Sequence, residues 1–69
     1  MATIERKGSL VRVEIAGEAQ IYRSVREAFE AAYDRRLEGP EYRAVSKQLC
    51  MWTDMEAAGD LPKIVTEKL

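Results

Sequence analysis

Apolar and polar residues alternate along the first third of the chain. The clearest alternation places β-branched residues between charged ones, in the run Val11, Arg12, Val13, Glu14 and Ile15. A period of two is typical of a strand with one buried face. Residues 3–6 precede this run and residues 19–23 follow it, each across a turn that contains a glycine, Gly8 or Gly17. The pattern therefore predicts a three-stranded antiparallel β-meander.

The next segment has the helical period of about 3.6 residues. Ser24 is followed three positions later by Glu27, a spacing typical of a capping box at the start of a helix. Apolar residues then recur on one face, namely Val25, Ala28, Phe29, Ala32 and Tyr33. We expect this face to cover the sheet, and we expect Gly39 and Pro40 to end the helix.

A second helix is predicted over residues 40–58, and it has two apolar faces. One stripe consists of Tyr42, Val45, Leu49 and Trp52. The other, roughly 130° around the helix at about 100° per residue, consists of Ala44, Met51, Met55 and Ala58. A helix on the surface of a small domain needs only one apolar stripe. The second stripe therefore predicts a partner, either another copy of the chain or a target protein.

The small size of the chain supports the same expectation. The 69 residues form one domain, and a domain of that length buries only about 60% of the surface that its unfolded chain exposes. Small folds gain stability from disulfides, metals or oligomerisation. A single cysteine, Cys50, excludes an intrachain disulfide, and the absence of histidine removes the usual zinc ligands. Oligomerisation is the route that remains.

We divide the chain into a single α+β domain, residues 1–59, and a C-terminal tail, residues 60–69. The tail is predicted as a short helix or an arm, with a strand over residues 64–66 as the alternative. Its apolar residues are Leu61, Ile64, Val65 and Leu69. The N-terminus has no signal-peptide pattern, and no apolar run approaches the roughly 18 residues of a membrane span. We therefore expect a cytoplasmic protein without a membrane partner.

No residue pattern for a specific chemistry is present. Without histidine, Ser24, Ser46 and Cys50 lack the usual base that activates a nucleophile. The glycines are dispersed and match no phosphate-binding loop. Carboxylates such as Glu30 and Asp34 occupy positions typical of a solvated helix face. We therefore predict a protein that is not an enzyme and has no cofactor, catalytic or metal site.

Two patterns favour DNA binding as an alternative. The two helices, joined through Gly39, match the order of a helix-turn-helix, with residues 42–47 in the recognition helix. The run of residues 22–34 after a meander also loosely resembles the strand-to-helix junction of AP2-type DNA-binding domains, which implies a sheet that reads DNA. The tryptophan-and-glycine strand pattern of that family is absent. Eleven basic and twelve acidic residues give no basic footprint of the kind that phosphate binding requires.

The sequence therefore favours a small homodimeric module that occludes a partner protein, in the manner of bacterial or phage accessory and inhibitor proteins. The predicted partner contacts are Met51, Met55, Trp52, Tyr42, Arg43 and Lys47. The predicted dimer interface is Ala44, Met51, Met55 and Ala58. If the dimer covers that stripe, we expect the target to bind the exposed sheet face around Arg12, Glu14 and Tyr22. A small DNA-binding regulator is the alternative.

Overall fold

The computed structural model describes residues 1–69 as four strands and two α-helices. The strands are β1 (Ala2–Lys7), β2 (Leu10–Ile15), β3 (Glu18–Tyr22) and β4 (Ile64–Lys68). The helices are α1 (Val25–Asp34) and α2 (Pro40–Ala57), with a 3-10 turn at Arg36–Glu38 between them. All strand pairs are antiparallel, in the spatial order β3-β2-β1-β4. The predicted α+β fold, a meander followed by two helices, is confirmed.

Both hairpin turns of the meander have two residues, and both need backbone with positive φ. Gly8 has φ 63° in the first turn, and Ala16 and Gly17 have φ 54° and 84° in the second. In the second turn, positive φ at both central positions meets the requirement of a type I′ turn, whose twist matches that of the strands it joins; the first turn has positive φ at Gly8 only. Ala16 is the only non-glycine residue with positive φ, a conformation that strains an L side chain.

The helices pack on one face of the sheet, which we call the inner sheet face. The register places Ile4 opposite Val13, so their side chains lie together under the helices. The core consists of ten buried apolar residues: Ala2, Ile4, Val11, Val13, Val25, Ala28, Ala32, Val45, Leu49 and Trp52. Each helix therefore contributes one apolar stripe, in agreement with the predicted periodicity.

One residue of the predicted α1 core face is not in the core. Tyr33 is exposed, whereas Phe29 is half-buried and packs against the core. The ring centroids of Phe29 and Tyr33 lie 5.7 Å apart, and the Arg36 guanidinium lies 4.1 Å from the Tyr33 ring centroid. Tyr33 belongs to the last turn of α1, where its contacts are with a neighbouring ring and a cation rather than with the sheet.

The α1 helix begins where it was predicted and ends earlier. The Ser24 hydroxyl accepts a hydrogen bond from the Glu27 N–H at 3.1 Å, which confirms Ser24 as the N-cap. The return bond from the Glu27 side chain, expected for a capping box, does not form. The helix ends at Asp34 because the Arg35 N–H bonds to the Ala32 carbonyl at 3.2 Å, a tightened contact that leads into the 3-10 turn before Gly39.

The C-terminal tail is part of the sheet, so the predicted short helix or arm is wrong and the alternative strand is correct. β4 pairs with β1 in a register that runs from Thr3 opposite Lys68 to Lys7 opposite Ile64. Gly59, with φ 77°, ends the preceding helix, and Pro62 cannot donate the bonds of another one. The β-branched run of residues 64–66 then favours an extended chain.

Candidate functional site

The α2 helix buries one of its two apolar stripes completely. Val45, Leu49 and Trp52 are inaccessible to solvent, and Tyr42, at the start of the same stripe, is half-buried. These side chains pack between α1 and the inner sheet face, which fixes the rotation of α2 about its axis. The opposite side of the helix therefore faces away from the core.

The second apolar stripe lies on that outward side. We call Ala44, Met51, Met55 and Ala58 the methionine stripe, and all four residues are exposed. Met51 is 51% exposed and Met55 is 38% exposed, so both residues are partly open to solvent. An exposed apolar row on a well-formed helix is a common starting point for helix-mediated association, and methionine side chains adapt readily to a partner.

The buried position of Trp52 corrects the predicted contact set. Trp52 is only 1% exposed and fills the core, so it cannot contact a partner in this conformation. One face of the Tyr42 ring is also covered within the chain, because the Arg35 guanidinium lies 4.6 Å from the ring centroid. The remaining predicted contacts, Met51, Met55, Arg43 and Lys47, are exposed on the outward side or flank of α2.

Charge is unevenly distributed along the exposed side of α2. Its first half carries Arg43 and Lys47, and its last turns carry Asp54. None of these three side chains takes part in an ion pair within the chain. Glu56, by contrast, points to the sheet side and pairs with Arg6 at 3.3 Å. The outward side therefore offers one free basic end and one free acidic residue.

The candidate nucleophiles of the chain lie apart from one another. Ser24 is the cap of α1, Ser46 is buried beside the core, and Cys50 is exposed on the flank of α2. No group of three or more metal-ligating side chains converges anywhere in the chain. The structure therefore brings no set of reactive side chains together around a shared cleft.

A small cavity opens between β3 and the helices. Its volume is about 40 Å³, close to that of one water molecule and far below the roughly 300 Å³ of a small-molecule site. Arg35 lies at its rim, and the hydrogen bond that it donates to Glu38 raises the pKa of the guanidinium above its ordinary value. The cavity has room for solvent between Arg35, Tyr22 and Tyr42 rather than for a cofactor.

The outer sheet face, opposite the helices, is uncovered. Its apolar side chains are Leu10, Ile21 and Ile64, and Ile64 is 70% exposed. Charged residues surround them, and Arg12 and Glu14 form an ion pair at 2.6 Å. Tyr22 was predicted on this face but lies opposite Val11 on the inner side, at the rim of the cavity. Sequence reasoning missed Leu10 and Ile21, although each shares the strand parity of the polar outer residues.

Comparisons with protein families, with curated proteins and with solved structures give no match to this chain. Neither helix has the length and apolar character that a membrane crossing requires. The methionine stripe and the outer sheet face are two surfaces of this chain that group exposed apolar side chains.

Proposed function

We propose that this chain is a small, non-enzymatic protein-binding module of the cytoplasm. It forms a homodimer through the methionine stripe and occludes a partner protein, as a bacterial or phage accessory or inhibitor protein would. The observation that carries the proposal is the exposure of Met51 and Met55 in a helix whose other apolar stripe is already full. Burial of such side chains on association stabilises a complex by about 25 cal/mol for each Å² of apolar surface.

The size of the core supports self-association. Ten buried apolar residues in a 69-residue chain form a small core, and domains of this length are marginally stable alone. The chain has no disulfide, and its single cysteine is free. Binding of a second copy adds stability to the folded state because the unfolded chain cannot form the interface.

The outer sheet face is the surface that we propose for the target protein once the dimer covers the methionine stripe. Leu10, Ile21 and Ile64 supply apolar contacts there, and the charged residues between them supply specificity. A dimer presents two such faces, and a target that binds one of them loses access to its own covered surface. Occlusion here means this loss of access.

The test of self-association is the double substitution Met51→Glu/Met55→Glu. Light scattering should give the wild-type chain about twice the 7.8 kDa mass of one copy, and the variant a mass near that of one copy. Helix content by circular dichroism should stay the same because both side chains are outside the core.

The matched control is Leu37→Glu, which alters an apolar residue that is 83% exposed but lies outside α2. The control should keep the wild-type mass. A wild-type chain that remains a single copy at millimolar concentration contradicts the proposal.

A DNA-binding regulator is the second candidate, and the open outer sheet face favours it. Lys7, Arg12 and Lys68 outnumber Glu5 and Glu14 on this face, and no helix blocks access to it. Retention on duplex DNA should then fall steeply with salt because phosphate contacts release counterions. Arg12→Ala should weaken retention more than Arg36→Ala, which alters a cation on the helical side. No retention at low salt would reject this candidate.

A further inference from the structure

We propose that the second copy packs antiparallel on α2, with Met51 at the two-fold axis and Lys47 of each copy facing Asp54 of the other. This inference rests on the proposed self-association and adds its direction and register. Both residues are exposed, and neither has an ion-pair partner within its own chain. The homodimer therefore supplies the partners that a single copy lacks.

The spacing of the methionine stripe defines the seam. Ala44 and Ala58 lie seven residues before and after Met51, so the three residues repeat at the heptad interval of two helices packed along their length. At about 100° per residue, Lys47 and Asp54 lie within roughly 20° of each other on one flank of this seam. A small residue at each end of the stripe lets the two helices approach closely.

Direction follows from the charges on that flank. In an antiparallel pair centred on Met51, residues equally far before and after the centre meet across the axis. Lys47 lies four residues before Met51 and Asp54 three residues after it, so the two are offset along the axis by only about 1.5 Å. The two-fold axis also keeps both residues on the same flank and forms the contact twice.

A parallel pair lacks these contacts. Its two-fold axis runs along the helices, so the flank with Lys47 and Asp54 meets the other flank of the second copy, which carries Gln48 and Met55. That flank has no charged side chain next to the seam, so neither Lys47 nor Asp54 gains an ion-pair partner. Charge complementarity therefore selects the antiparallel arrangement.

The decisive experiment is a charge exchange followed by sedimentation equilibrium. Lys47→Glu and Asp54→Lys should each raise the dimer dissociation constant by about tenfold, because each converts two attractive contacts into two repulsive ones. The double variant Lys47→Glu/Asp54→Lys should return to within about threefold of the wild-type value. Within one helix these residues are seven positions apart and cannot compensate each other.

A second experiment reads the direction without relying on charge. In a Cys50→Ser background, Ala44→Cys and Ala58→Cys chains should form a disulfide when mixed and oxidised. Ala44→Cys alone should form none, because in the antiparallel pair its two copies lie about 20 Å apart, beyond the reach of a disulfide. A disulfide in the Ala44→Cys sample alone would show a parallel pair and overturn the inference.

The outcomes separate this inference from the proposed function. A wild-type dimer that Met51→Glu/Met55→Glu disrupts, but that the charge exchange fails to restore, overturns the antiparallel register and leaves the homodimer standing. A wild-type chain with no self-association overturns both. Restoration by the double variant, together with the mixed disulfide, supports the register.

Discussion

The two apolar stripes of α2 have similar spacing and opposite environments. Val45, Leu49 and Trp52 are buried, whereas Met51 and Met55, on another side of the same helical turns, are exposed. The inner stripe uses branched and aromatic side chains that fill a fixed space, and the outer one uses flexible and small side chains. The comparison shows that apolar periodicity identifies the apolar surface of a helix, and that the packing of the helix on the sheet decides which stripe is buried.

The largest contrast should come from truncating one residue of each stripe. Trp52→Ala removes the largest fully buried side chain and should lower the free energy of unfolding by about 3–5 kcal/mol. Met51→Ala should change it by less than about 0.5 kcal/mol, since the residue is half-exposed and leaves no cavity. Both truncations are measured by urea denaturation in chains whose self-association is disrupted, which separates folding from association. Trp52→Ala is combined with Met51→Glu/Met55→Glu, and Met51→Ala is combined with Met55→Glu. Equal losses for the two truncations would show that the stripes do not differ as described.

The sequence predicted this contrast only in part. The helical period identified both stripes and placed Trp52 with Leu49, on the side that the structure buries. Trp52 was predicted as a partner contact because tryptophan is frequent at interfaces. That property of the residue type says nothing about the orientation of the side chain. The helical period predicted the burial of Trp52 better than residue type did, because burial depends on which side of a helix meets the sheet.

The tail and the sheet surface were harder to predict for a different reason. The five residues of β4 form an edge strand, and their pairing with β1 joins residues about 60 positions apart in the chain, such as Thr3 and Lys68. No local pattern records such a pairing. Likewise, the exposure of Leu10 and Ile21 depends on all helices packing on the same side of the sheet. Local periodicity thus predicted the elements, and the arrangement of the elements determined the candidate surfaces.

Two acidic residues near the end of α2, Glu56 and Asp54, differ in the same way as the two stripes, because one faces the sheet and the other faces outward. Glu56 faces the sheet and pairs with Arg6, whose side chain is mostly buried and also donates to the Pro62 carbonyl at 2.7 Å. Glu56→Gln should therefore cost about 1 kcal/mol of folding stability. Hydrogen exchange of the β4 amides should quicken in the same variant, because Arg6 joins α2 to the chain that leads into β4.

Asp54→Asn is the matched control for that substitution, because Asp54 lies on the outward side of α2 without an ion-pair partner. It should leave the unfolding free energy within about 0.5 kcal/mol of the parent value and weaken only dimerisation. Equal destabilisation by the two variants would mean that the sheet side and the outward side of the helix end are not distinct.

The smallest expected effect tests whether folding and association are independent. Ala16 lies in the second hairpin turn, far along the chain from α2, and its φ of 54° favours a glycine. Ala16→Gly relieves the strain of an L side chain but increases the freedom of the unfolded chain, so the net gain should be about 0.5 kcal/mol. Thermal unfolding should therefore shift upward by a few degrees. The dimer dissociation constant should stay the same, because the turn contributes nothing to the methionine stripe. A change in that constant would show that association through the outward face of α2 depends on the stability of the sheet, and that the two stripes of α2 are coupled.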